Sequence, residues 1–223
     1  MKYLKILAIY FAVTSCSTTQ LVENWKNPDF VTYNPNKVLI VGMTTNLEAR
    51  QQFEKQLKAE YQSRGIEAVM SLELFEPSFT TEKKTDEELK QLENNLLLDG
   101  FDTLLFTKVI GVEDKILYRE NYEEDKNTHI KFREDYLKYQ DAYYNPDYYN
   151  EFTVYHAETS MYCICPTKDR TLIWKGYIDI IDPESIIETV NHYVRLVIVV
   201  LEEQQLINHK LLEDSTNKES IFN

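Results

Sequence analysis

Apolar residues recur along this chain with two different periods, and the order of those periods lays out a fold. Lys37 to Met43 is a short, β-branched apolar run with the length of a buried strand. Thr45 and Glu48 form a capping-box signature just after it. Ala49, Phe53, Leu57 and Tyr61 then recur every four residues, which places them on one face of a helix that Gly65 terminates. Ile66 to Met70 reads as a second strand. The unit repeats with a capping box at Thr85 and Glu88, a stripe of Leu89, Leu92 and Leu96, a stop at Gly100, and a third strand from Thr103 to about Val109. Strand–helix–strand–helix–strand predicts parallel strands joined by right-handed crossovers.

After Gly111 the rhythm changes. Lys115 to Tyr118 reads as a further strand, and residues 119–150 form a polar, charged, tyrosine-rich insert. Phe152 to Cys165 has the pattern of a long strand. Pro166, Thr167, Lys168 and Asp169 supply turn residues, and Arg170 to Ile180 returns as the hairpin partner. Asp182, Pro183 and Glu184 open a last helix running to about Ile207, with the proline suited to its first turn. That helix carries one stripe of Val190, Val194, Val197, Ile198 and Leu201, and a second of Leu196, Val199 and Val200. A helix apolar on both sides is expected to be covered on both. The predicted fold is a single α/β domain over residues 25–210. Its mixed sheet runs β-α-β-α-β and then into antiparallel hairpin strands, with a long C-terminal helix and a flexible tail from 211 to 223.

Composition narrows the partners. The 223 residues carry a formal charge of −13. An acidic chain repels nucleic acid, so no nucleic-acid partner is expected. Only three cysteines occur, at positions 16, 163 and 165. The last two are expected to be small core-facing residues of a strand, since a disulfide across a two-residue strand spacing is strained.

The N-terminus has its own pattern. Lys2 and Lys5 precede an apolar run from Ile6 to Val13, too short for a permanent membrane span, and Val13-Thr14-Ser15-Cys16 follows. This block resembles a lipobox, the site cut by the lipoprotein signal peptidase. The resemblance implies a signal peptide over residues 1–15, a diacylglycerol on the Cys16 thiol, and residues 16–24 as a polar lipidated tether. Two or three acyl chains hold a protein firmly to a membrane, whereas one does so marginally.

Candidate chemistry is sparse. No Gly-x-Ser-x-Gly and no phosphate-cradling loop occurs. His129, His156, His192 and His209 lie far apart with no zinc-binding spacing, and Glu123-Glu124-Asp125 lacks the turn glycine and closing glutamate of a calcium loop. No catalytic residue, metal or cofactor is expected. Tyr143, Tyr144, Tyr148 and Tyr149 are the candidate binding residues, because tyrosines offer large contact area and a polar tip at little entropic cost. An extended hairpin of mutually packed tyrosines would satisfy them equally well.

Several features then occur in order: the lipobox, Trp25-Lys26-Asn27-Pro28, Val38 to Gly42, Arg64-Gly65, Gly100 to Leu105, the tyrosine-rich insert, and Leu172 to Gly176. In that order they resemble a broad group of uncharacterised Gram-negative envelope lipoproteins that share a domain of unknown function with a tyrosine-rich insert. The resemblance covers roughly residues 22–207 and carries over one functional residue, Cys16. The strand–helix plan also looks like small α/β domains in lipoproteins that activate peptidoglycan synthases or build the curli secretion pore. The expectation is a non-enzymatic interaction or assembly module, anchored through Cys16 to the outer membrane, facing the periplasm and meeting an envelope protein partner. A small-molecule or glycan-binding lipoprotein using the tyrosines is the alternative, and an unrecognised hydrolase the third reading.

Overall fold

A computed structural model describes residues 18–76, 82–118, 133, 137, 149–165 and 170–210. Its elements are β1 (Thr19–Lys26), β2 (Lys37–Met43), α1 (Leu47–Gln62), β3 (Glu67–Met70), α2 (Ser71–Leu74), α3 (Asp86–Leu98), β4 (Thr103–Tyr118), β5 (Tyr149–Cys163), β6 (Leu172–Ile181) and α4 (Ile186–Glu203). They build one six-stranded sheet in the order β1-β6-β5-β4-β2-β3. β2 pairs in parallel with β3 and β4, and the other neighbours are antiparallel. The single mixed α/β domain with a C-terminal helix is therefore the fold that the apolar periods specify.

The two faces of the sheet are covered unequally. α1 and α4 lie on one face, where Phe53, Leu57, Val194, Val197 and Leu201 pack on Val38, Ile40, Leu105, Met161 and Trp174. α3 lies on the other, where Leu96 joins Leu39, Val41, Phe101 and Ile164 in a smaller core. Both cores exist because β2 is apolar at successive positions and so feeds both faces. The second stripe of α4 is only partly covered: Val200 is buried and Leu196 half-buried, but Val199 is exposed. The neighbouring α1 therefore takes less of that helix than two apolar stripes suggest.

Several local expectations change. Residues 19–24, read as tether, are most of β1, which pairs with β6 from Thr19↔Ile180 to Lys26↔Trp174. An edge strand faces solvent on one side and here on much of both faces, so it lacks the alternation that marks a half-buried strand. β4 does not stop at Val109: it continues through a bulge between Val109 and Gly111 and absorbs the separate strand expected at 115–118. α1 is capped by Asn46, whose side chain accepts from the Ala49 amide, rather than by Thr45. The Thr85–Glu88 capping box forms as expected, and Gly65 and Gly100 both take the positive φ that ends their helices. α4 ends at Glu203, where Gln205 adopts a positive φ.

Cys163 is buried in the main core and Cys165 packs against it, as expected of core-facing residues, but the two are paired with each other, which the strand spacing did not predict. The strand geometry assumed for them ends at Cys163. Beyond it the chain turns, bringing the two Cα atoms to 5.4 Å, inside the range a disulfide spans.

One polar cluster is sealed inside the domain. Glu54 Oε1 accepts from Arg50 Nε at 3.0 Å, from the Gly42 amide at 3.0 Å and from Ser71 Oγ at 2.6 Å. Its second oxygen accepts from the Leu72 amide at 3.1 Å. Arg50 is 2% exposed and Glu54 fully buried, so this ion pair joins α1 to the end of β2 and the start of α2 out of contact with water.

Candidate binding cleft

α3 does not lie flat on its face of the sheet. Leu96 is buried, Leu92 is half-buried and Leu89 is 43% exposed, so the helix is seated at its C-terminal end and opens toward its N-terminal end. Beneath the open end is a cleft of about 670 Å³. Leu39, Val41 and Met43 of β2, Leu104 and Phe106 of β4, and Tyr162 with Ile164 form its floor. Leu89, Leu92 and Leu96 form the roof, and Phe75 closes one side. The volume lies in the range that encloses a small ligand, and the wall is apolar apart from the Tyr162 hydroxyl and the rim.

The rim is charged and braced. Arg170 Nε donates to Glu93 at 2.6 Å and its Nη2 to Asn94 at 3.4 Å, tying the start of the β6 hairpin arm to the middle of α3. Glu82, Lys83 and Lys84 stand at the other lip, with Lys84 donating to Glu82 at 3.3 Å. Along the strands the floor then changes from apolar to ionic. Two residues past Phe106 comes Lys108, and opposite it Glu158, 6% exposed, pairs with Lys108 at 2.9 Å and with Lys175 at 3.4 Å. Burial alone would push the Glu158 carboxyl up. Hydrogen bonds from Lys108 and Ser160, and the charges of Lys108 and Lys175, outweigh it and hold the group below the usual carboxylate range.

The residues singled out from sequence fall elsewhere. Tyr143, Tyr144 and Tyr148, like Cys16, lie outside the described residues. Tyr149 begins β5 opposite Tyr118, and its side chain is also outside the description. Of the histidines, His156 donates or accepts at Nδ1 with Asp179 Oδ1 at 2.7 Å, and His209 approaches Glu202 at 3.4 Å. His192 sits half-buried on α4, and His129 is outside the description. Among the described residues no three His, Cys, Asp or Glu side chains are grouped to hold a metal, and no helix is long and apolar enough to cross a membrane.

The cleft was missed because its signal looked ordinary. The Leu89–Leu92–Leu96 stripe and the alternating Leu104 and Phe106 are what any packed helix and strand would show. Only the angle between them makes a cavity. Tyr162 and Arg170, the polar members, carry no sequence motif.

No family model and no curated protein matches the chain. Among solved structures it is similar to a PelC dodecamer from Paraburkholderia phytofirmans, at 9% identity and a TM-score of 0.43, over 85% of this chain and 99% of that one. It is also similar to the lipoprotein GNA1162 from Neisseria meningitidis, at 11% identity and a TM-score of 0.41, over 76% and 99% of the two chains. At these scores and identities the likeness fixes neither fold nor function.

Proposed function

We propose that this chain is a lipid-anchored binding module of the bacterial envelope. Cys16 carries the lipid, and the cleft under α3 takes an apolar or amphipathic ligand. The observation that carries the binding half is the cleft itself: an apolar wall of about 670 Å³ that the chain's own described side chains leave open. Such a wall offers desolvation and shape, not proton transfer or nucleophilic attack, so the reading is non-enzymatic. The anchoring half rests on the lipobox-like Val13-Thr14-Ser15-Cys16. By resemblance to such lipoproteins, Ser17 after the anchor, where an aspartate would signal inner-membrane retention, supports the outer membrane, and a periplasm-facing domain is the reading proposed with it.

Two routes lead from a binding module to a role. A free small molecule can fill the cleft, or an apolar side chain of an envelope protein partner can. The cleft volume of about 670 Å³ suits the small molecule, and this reading puts ligand binding in the cleft rather than on the tyrosine-rich insert. The test is a titration of the purified soluble domain with an environment-sensitive apolar dye. Wild type is expected to enhance its emission saturably. Leu92→Trp, which fills the roof with a larger side chain, is expected to weaken binding at least about tenfold, since roughly 1.4 kcal/mol of lost contact suffices. Saturable binding unchanged in Leu92→Trp, with both proteins folded by circular dichroism, would sink the cleft assignment.

A further inference from the structure

β1 begins much closer to the anchor than a tethered domain requires. The Ile181 amide donates to the Thr18 carbonyl at 2.7 Å, so the sheet's hydrogen bonding starts two residues after Cys16. Two residues of fully extended chain span at most about 7 Å. The end of the sheet where β1 starts is therefore held at the lipid, if Cys16 is the lipidated residue.

The register identifies everything else at that end. Thr19 pairs with Ile180, Ile180 with Tyr155, and Tyr155 with Val112, which sets one level across β1, β6, β5 and β4. Exposed apolar side chains gather there. Val109, Ile110 and Val112 are 43%, 51% and 59% exposed on β4, past the point where β2 stops pairing with it at Met43↔Lys108. Ile187, 52% exposed, is in the first turn of α4, and Leu47, 53% exposed, starts α1. A shallow hollow of about 110 Å³, lined by Met43, Val109, Ile180 and Val190, opens between these helix starts. The β4–β5 hairpin continues past this level, from Val112↔Tyr155 to Tyr118↔Tyr149, so the apolar residues can reach a membrane only with the strands lying oblique to it, the hairpin along the surface rather than through it.

From this we infer that the β1-start end of the domain is a membrane-contact surface, with Val109, Ile110, Val112 and Ile187 entering the bilayer interface. The inference rests on the anchoring reading of Cys16 and concerns what the anchor does to orientation. A patch this small would not hold a free protein to lipid. An anchor within about 7 Å makes the second contact intramolecular, so a few apolar side chains are enough to select one orientation. Glu113, Asp114, Asp182 and Glu184 lie at the same end, which makes a zwitterionic surface the matching one and an anionic surface repulsive. In this orientation the far end, with Leu98 at 85% exposure, points away from the membrane.

The test uses the full acylated chain in phosphatidylcholine vesicles whose acyl chains are brominated, which quench tryptophan on contact. All variants carry Trp25→Phe, leaving the buried Trp174 as a constant background. Val112→Trp and Ile187→Trp are expected to lose emission relative to unbrominated vesicles, and Leu98→Trp to keep it. Equal quenching at all three sites, or none at any of them in chains that float with the vesicles, overturns the orientation while leaving the anchor intact. A chain that does not float, and whose Cys16→Ala form behaves identically, overturns the anchor and the orientation together.

Discussion

Glu54→Ala is expected to cost the domain about 3–5 kcal/mol, a large part of the roughly 5–15 kcal/mol that holds a typical domain together. The substitution removes four acceptor contacts at once, from Arg50, Gly42, Ser71 and Leu72. It takes the Glu54 carboxylate from a guanidinium that is 2% exposed, leaving Arg50 its bond to Ser71 Oγ at 2.8 Å in place of the buried counter-charge at Glu54. Desolvating a charge is tolerable only when a partner compensates it, so the damage comes from the survivor more than from the lost bond. The double change Arg50→Met with Glu54→Leu removes both charges and keeps apolar volume. It is expected to be clearly more stable than Glu54→Ala alone. Urea denaturation followed by circular dichroism measures both. A single variant within about 1 kcal/mol of wild type, or a double variant no better than the single, would show that the cluster does not behave as a sealed ion pair.

Gly176→Ala should be the second costly change, although it adds one methyl group. The indole of Trp174 lies along β6 across the space above Gly176, and a Cβ built there would come to 2.6 Å from Trp174 Cζ2 and also clash with Cη2. Trp174 is fully buried among the α1 and α4 side chains, so it has nowhere to retreat. Overpacking of this kind costs about 1–3 kcal/mol, and Gly176→Val should exceed Gly176→Ala. The diagnostic comparison is Gly176→Ala placed on Trp174→Phe. The smaller ring clears the methyl, so the second substitution should cost much less there than in wild type. Additive costs in thermal denaturation would mean that the two residues do not share the space.

These two sites show where sequence stops being sufficient. β2, the helical stripe of α1 and the Thr85 capping box are legible because each is a local pattern with a local cause. β1 is not, since Thr19–Lys26 becomes a strand only by pairing with β6, some 150 residues later. The bulge that carries β4 past Gly111 is likewise a property of the pair. The Glu54 cluster unites residues 42, 50, 54, 71 and 72 through the meeting of three elements. The cleft is further still from the sequence, because it depends on the angle at which α3 meets the sheet. The cysteines face the core as their strand implies, and only their pairing is not legible, because the strand ends at Cys163 rather than running on to Cys165.

The proposed function rests on an anchor that the first sixteen residues imply by resemblance and on a cleft visible only in the fold. The anchor is the half on which location and orientation both depend. Its most direct measurement is the intact mass of the protein extracted from bacterial membranes, with peptide mapping of its N-terminus. The account predicts a chain that begins at Cys16 and carries diacylglycerol, with a Cys16→Ala form that is found outside the membrane fraction. A membrane-bound chain that retains residues 1–15, or one that begins elsewhere without lipid, would contradict it.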